Sequence, residues 1–158
     1  MLSTFQRILW PGLLWVVLSS CASAPPPKPP EPRQTGTGEI QVTVTGFENE
    51  EGQVLIALFL NENGWPNDST IAFGATVQPI RGRQAVAEFE DVPAGPFGVS
   101  VFHDEDADRE LDTGMFGIPS EDYGFSRDAR SSFGPPSFDD ARMELAAGES
   151  KQVEIQVK

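Results

Sequence analysis

Residues 97–112 read Phe97-Gly98-Val99-Ser100-Val101-Phe102-His103-Asp104-Glu105-Asp106-Ala107-Asp108-Arg109-Glu110-Leu111-Asp112. The first half alternates. Phe97, Val99 and Val101 fall on one side of an extended chain and Gly98, Ser100 and Phe102 on the other, the pattern of a strand with one apolar face. The second half abandons that period for charge: six of the ten residues from His103 to Asp112 are acidic, against a single arginine. A run this dense is unfavourable unless water or a cation compensates it. A strand therefore hands over directly to a segment with a chemical requirement of its own.

Upstream, the period of two recurs. Ile40, Val42 and Val44 alternate with Gln41, Thr43 and Thr45. Residues 54–60 form a continuous apolar run that suits a central strand buried on both faces. Strands are also predicted over 75–80 and 85–90, joined by a tight turn at Arg81-Gly82-Arg83, and 91–95 reads as a loop. Downstream, strands over 141–145 and 153–157 bring the total to seven, with no convincing helix. Short strands joined by short turns predict an all-β domain over 38–158: a single antiparallel β-sandwich of immunoglobulin- or transthyretin-like type. Residues 113–140 show neither period. They nevertheless carry Met115, Phe116, Ile118, Tyr123, Phe125, Phe133 and Phe138, apolar surface that favours burial. One long ordered loop is expected there, lying across a sheet edge or face and pinned near its start by the acidic stretch.

The spacing inside 103–112 has a specific chemistry. Asp104, Asp106 and Asp108 alternate, and Asp112 follows four residues later. Calcium takes six to eight oxygen ligands in a flexible shell, and alternate residues of a turning loop can aim at one ion. In that register Asp104, Asp106 and Asp108 supply side-chain oxygens and Glu110 a main-chain carbonyl. Asp112 closes the shell directly or through water, and Ca²⁺ is the expected ion. The sixth position of such loops is usually a glycine with positive φ. Arg109 stands there, at a cost of about 1–2 kcal/mol if that conformation is kept. The twelfth position is Met115 rather than glutamate and no helices flank the loop, which excludes an EF-hand proper. Two other states stay open from sequence: Arg109 folded back as an internal counter-ion, or a solvated acidic loop.

His103 is the only histidine, and zinc sites want several His or Cys ligands. It reads as a hydrogen-bonded structural residue at a strand end. No serine lies in a nucleophile-elbow context. No catalytic residue is assigned, and a non-enzymatic module is expected. The alternative is a metal-dependent hydrolase acting on envelope material, with His103 as base and the aspartates holding a catalytic cation.

Residues 1–20 read as a secretory signal whose apolar run is too short to span a bilayer. Leu18-Ser19-Ser20-Cys21 resembles the bacterial lipoprotein box, so Cys21 is expected to be acylated as the first mature residue. Several acyl chains on one terminus anchor stably. Ala22 after the cysteine suggests the outer membrane. Residues 21–37 then form the lipidated cysteine and a Pro-rich tether of polyproline II character. Cys21 is the only cysteine, so no intrachain disulfide can form. A formal charge of −13 argues against nucleic acid as a partner. The expected location is the cell envelope of a Gram-negative bacterium, and the expected partner is an envelope protein or glycan.

The run from Phe102-His103-Asp104 through Asp112, followed by Phe116-Gly117-Ile118-Pro119 and Glu121-Asp122-Tyr123-Gly124-Phe125-Ser126, resembles a bacterial family known as domain of unknown function 2141. That family reads His-Asp-x-Asn-x-Asn-Gly-x-x-Asp, then Gly-x-Pro-x-Glu-x-Tyr-Gly-Phe-Ser, with a downstream Pro and Phe like Pro136 and Phe138. The similarity covers residues 38–158. Arg109 stands where the family usually has Gly, and Arg127 where Asn is common. The resemblance implies an exported β-sandwich and supplies no reaction. Joint occurrence of the two motifs implies that Tyr123 to Ser126 packs near the acidic stretch.

Overall fold

The computed structural model describes residues 35–115 and 118–158. The expected signal segment 1–20, Cys21 and the tether up to residue 34 lie outside the described residues, as do Phe116 and Gly117. Alternation of β-branched and polar residues folds into strands at every predicted place. These are β1 (Thr37–Thr45), β2 (Gln53–Phe59), β3 (Gly74–Gln78), β4 (Gln84–Pro93), β5 (Gly95–Asp104), β7 (Met143–Leu145) and β8 (Ser150–Gln156), with an eighth strand, β6 (Tyr123–Phe125), between β5 and β7.

The strands form two sheets: β4-β1-β8, and β3-β2-β5-β6 with β7 on the first residues of β5. Their facing sides close one core of Ile40, Val42 and Val44 from β1, Val54, Ile56 and Leu58 from β2, Phe97, Val99 and Val101 from β5, and Val153 and Ile155 from β8. Each such side chain contributes about 1.5–3 kcal/mol by leaving water. This core lies within the compact unit Pro32–Lys158 and runs from Ile40 to Val157. β2 is buried on both faces as its composition demands: Leu55 is 9% and Ala57 7% exposed on the side away from the core. The turn Arg81-Gly82-Arg83 is closed by a single antiparallel bridge between Arg81 and Gln84 and carries the chain from one sheet to the other, with Gly82 at φ 61° and Arg83 at φ 58°. Two successive positive φ values are those of a tight type I′ turn.

Several expectations are corrected. The predicted loop over 91–95 is nearly all strand. β4 continues to Pro93 through a bulge, where the register against β1 shifts between Gly38 and Ile40 and Asp91 takes φ 53°. The extra residue bends β4 so that the chain crosses to the other sheet at Ala94. The pairing is not wholly antiparallel, because β1 and β8 run parallel. Short turns fix the sense of neighbouring strands only, and these are the first and last. The expected loop 113–140 contains β6, a 3₁₀ turn at Ser126–Asp128 and a short helix, α1 (Phe138–Ala141). Ser137 and Asp140 cap α1 reciprocally. Four residues are too few to display a helical period.

The apolar residues of that stretch divide. Phe125 and Phe138 are buried, whereas Met115, Ile118 and Phe133 are exposed by 80%, 65% and 95%. The coverage expected of all of them holds only where Trp65 provides a counterpart. Its ring packs on Phe59, Phe125 and Phe138 with centroids 5.4–5.7 Å apart, and its Nε1 donates to the Pro136 carbonyl at 2.9 Å. This aromatic plug covers one end of the outer face of the second sheet.

Candidate metal centre

β5 carries the chain out of the core and delivers His103 and Asp104 at its end. His103 is 1% exposed. Its Nε2 donates to the Glu51 carbonyl at 2.8 Å, its ring meets Phe47 edge-on at 5.2 Å, and its Nδ1 lies 3.8 Å from Glu105 Oε1. The imidazole is enclosed by the turn between β1 and β2, as read for a structural residue. Gly52 in that turn has φ 64°, and a Cβ on it would collide with the Asp104 and Glu105 carbonyls. Only glycine lets the turn pass this close to the start of the acidic loop.

Asp104 is fully buried. Its carboxylate accepts from Gln53 Nε2 at 2.6 Å, from the Asp108 N–H at 3.1 Å and from the Arg109 N–H at 3.1 Å. The loop thus curls around this carboxylate. Asp106 Oδ1 accepts from the Asp108 N–H at 3.2 Å, and Asp108 Oδ1 from the Glu110 N–H at 2.7 Å. Ala107 and Arg109 both take left-handed backbone, φ 63° and 69°. Arg109 therefore keeps the conformation that glycine usually supplies at this position, with the strain that a Cβ brings.

This winding gathers Asp104, Asp106 and Asp108 so that one carboxylate oxygen from each lies within 4.8 Å of the other two. Two oxygens on one Ca²⁺, at 2.3–2.6 Å each, can be at most about 5 Å apart, so the triad has the dimensions such an ion needs. Hard carboxylate oxygens are also the donor type that calcium prefers. Glu110 and Asp112 do not bring carboxylates into the triad; the expectation for Glu110 concerns its main-chain carbonyl. Among the described residues, Arg109 makes no ion pair with the carboxylates it follows, so the counter-ion arrangement is not the one adopted.

Sequence reasoning assigned no role to Glu121. It is 8% exposed, and its two oxygens accept from the Glu105 N–H at 2.8 Å and the Asp112 N–H at 2.9 Å. One carboxylate thereby ties the entry of the acidic loop to its exit. Glu121 is held in turn by the Ser120 N–H on the Asp112 carbonyl (2.9 Å) and the His103 N–H on the Asp122 carbonyl (2.8 Å). Tyr123 then pairs opposite Phe102. The second motif meets the acidic stretch through Glu121 and the Asp122 carbonyl, whereas of Tyr123 to Ser126, expected beside it, only Tyr123 lies near and the rest run back along β5. Ser126 ends the motif, buried, receiving the Val99 N–H at 3.0 Å and donating to the Ala141 carbonyl at 2.7 Å. Arg127 has φ 61°. Both arginines that depart from the motif pattern thus sit in left-handed backbone, where Gly and Asn are the favoured residues.

A family model described as "Uncharacterized protein conserved in bacteria (DUF2141)" matches residues 42–154. The chain belongs to that family. The match contains the whole loop from Asp104 to Asp112, the Glu121 clamp and Ser126, so the geometry above lies inside the family domain. No curated protein and no solved structure matches the chain.

Proposed function

We propose that this chain is an exported, lipid-anchored protein of the cell envelope. Its β-sandwich is a non-enzymatic binding or structural module whose loop 104–112 is ordered by Ca²⁺. The convergence of Asp104, Asp106 and Asp108 carries the metal reading. Three carboxylates, the Glu110 carbonyl and water make up the six or more oxygens that calcium takes, and the ion offsets their mutual repulsion. The signal-like segment 1–20 and the box ending in Cys21 support export and acylation, in the outer membrane by the Ala22 rule. The partner on this reading is an envelope protein or glycan. No specific observation favours the hydrolase alternative, whose base would be a histidine enclosed by Phe47 and the Glu51 carbonyl.

Thermal melting of the unit Pro32–Lys158 in EDTA and in rising Ca²⁺ tests the metal reading. A ligand that binds only the native state raises the midpoint with concentration, and Asp108→Ala should abolish that rise. An unmoved midpoint, or an equal rise in the variant, refutes it. For the anchor, tritiated palmitate incorporated into the full chain should be lost in Cys21→Ala; retention refutes acylation at that residue.

A further inference from the structure

The outer face of the second sheet is mostly apolar and its two ends differ: one is sealed, and the other leaves a groove with Leu55 and Ala57 nearly buried at its bottom. At the Phe59 and Gly98 end the aromatic plug closes over the face, with Trp65 and Phe138 against Gly98. At the other end Leu55, Ala57, Ala75 and Phe102 floor an open groove of about 380 Å³. The acidic loop forms one wall through Arg109 and Glu110. Arg109 is exposed. Among the described residues lining the groove Arg109 is the one cationic residue, and it makes no ion pair with the carboxylates beside it. A residue held in left-handed backbone (φ 69°) thus stands on the wall of the groove with its charge unpaired by its own loop.

We propose that this groove binds a small monocarboxylic acid with an apolar body, its carboxylate on Arg109 and its body on Leu55, Ala57 and Phe102. The guanidinium fork matches a carboxylate in two parallel hydrogen bonds. An apolar pocket with few convergent polar groups is the usual form of a small-ligand site, and this volume lies at the low end of the range of about 300–1,000 Å³, which selects a short ligand. Glu110 on the same wall, in a chain of net charge −13, disfavours a phosphate dianion more than a monoanion. One wall is the loop that the calcium reading orders, so binding is measured with and without the ion to separate the two readings.

The test uses 3-phenylpropionate as probe, with 3-phenylpropanol and phenyl phosphate as comparators. Amide shifts of the unit Pro32–Lys158 are followed by NMR, once in EDTA and once with Ca²⁺. The acid should give saturable shifts at Phe102 and Arg109 in at least one condition and bind at least tenfold tighter than the alcohol or the phosphate. Arg109→Gly suits the backbone and removes the cation; it should weaken the acid tenfold or more and leave the alcohol unchanged. Ala75→Trp fills the groove and should abolish binding of both. No saturable shift in either condition overturns the site. Equal affinity for acid and alcohol overturns the role of Arg109, as does acid binding unchanged in Arg109→Gly. Should either variant fail to fold, the acid-to-alcohol ratio on the native chain decides alone.

Discussion

Replacing Glu121 by alanine tests whether the acidic loop is held by one buried carboxylate. Two main-chain N–H groups seven residues apart, at Glu105 and Asp112, end on its oxygens at 2.8 and 2.9 Å. Hydrogen bonds to a charged acceptor contribute about 1.5–3 kcal/mol each. Both donors belong to exposed residues that water can partly re-solvate, so the low end applies and the two bonds together are worth about 3 kcal/mol. Part of that need not appear as global instability. The loop can open while the sandwich stays folded, and the global cost is then capped by the free energy of local opening. Glu121→Ala should therefore lower stability by about 2 kcal/mol in urea unfolding. Amide hydrogen exchange at Glu105 and Asp112 should accelerate about a hundredfold, the kinetic equivalent of nearly 3 kcal/mol. Glu121→Gln retains one acceptor oxygen but turns an NH₂ toward the second N–H, so it should lose about half as much. A variant within about 0.5 kcal/mol of the native chain, with exchange unchanged at both amides, would refute the clamp.

Two further outcomes follow from the backbone and from one titrating turn. Arg109→Gly relieves left-handed strain of about 1–2 kcal/mol and adds unfolded-state entropy worth about 0.4–1 kcal/mol, so the domain should gain roughly 0.5–1 kcal/mol and bind Ca²⁺ more tightly; a loss of stability in urea titration counts against the strain. Glu149 accepts from the Ala146 N–H at 2.7 Å and from Lys151 Nζ at 2.9 Å, and these two contacts, the main-chain bond first, hold its carboxyl below the usual range. A depressed native pKa gives stability that is present above the unfolded value and lost as pH falls through the folded one. The melting-temperature difference between native chain and Glu149→Gln should accordingly be constant near neutrality and vanish in acid; a pH-independent difference would disprove it.

Alternation made most of the fold legible, because a strand with one buried face writes its period into the sequence, as in Ile40-Val42-Val44 and Phe97-Val99-Val101. What stayed hidden was decided between distant residues. The parallel pairing of β1 with β8 leaves no local trace, since either sense buries the same side chains. β6 has only Tyr123, Gly124 and Phe125, too few to alternate, and exists because β5 offers them an open edge at Ser100–Phe102. In the acidic loop the alternation points to the gathering of Asp104, Asp106 and Asp108, whereas the positive φ of Arg109 is conditional on the loop keeping a conformation that glycine usually supplies. Glu121 was one carboxylate in a polar stretch, and its role appears only when the chain folds back on Glu105 and Asp112. The pairing of the two motifs was the one signal that pointed there. The apolar residues described in 113–140 are not all covered: Phe133 has no Trp65 to meet, and hydrophobicity alone does not supply a partner.

Arg109 belongs to both candidate sites, and this makes them electrostatically coupled. Its N–H closes the ring around Asp104, while the residue lines the groove. A divalent ion among Asp104, Asp106 and Asp108 removes negative potential from the wall that a carboxylate ligand must approach. At a separation of about 10 Å and near-aqueous screening, each pair of unit charges is worth up to about 0.4 kcal/mol, so a divalent ion should tighten the acid about two- to fourfold. Linkage then requires the acid to tighten Ca²⁺ by the same factor. Calorimetric titration of Ca²⁺ with and without saturating 3-phenylpropionate measures one side of the cycle, and titration of the acid with and without Ca²⁺ measures the other. Asp108→Ala should reduce both factors together. Coupling in the opposite sense, or an acid whose affinity ignores an ion shown to bind, would mean that the guanidinium and the triad do not share one electrostatic environment, and the assignment of Arg109 to the groove would fall.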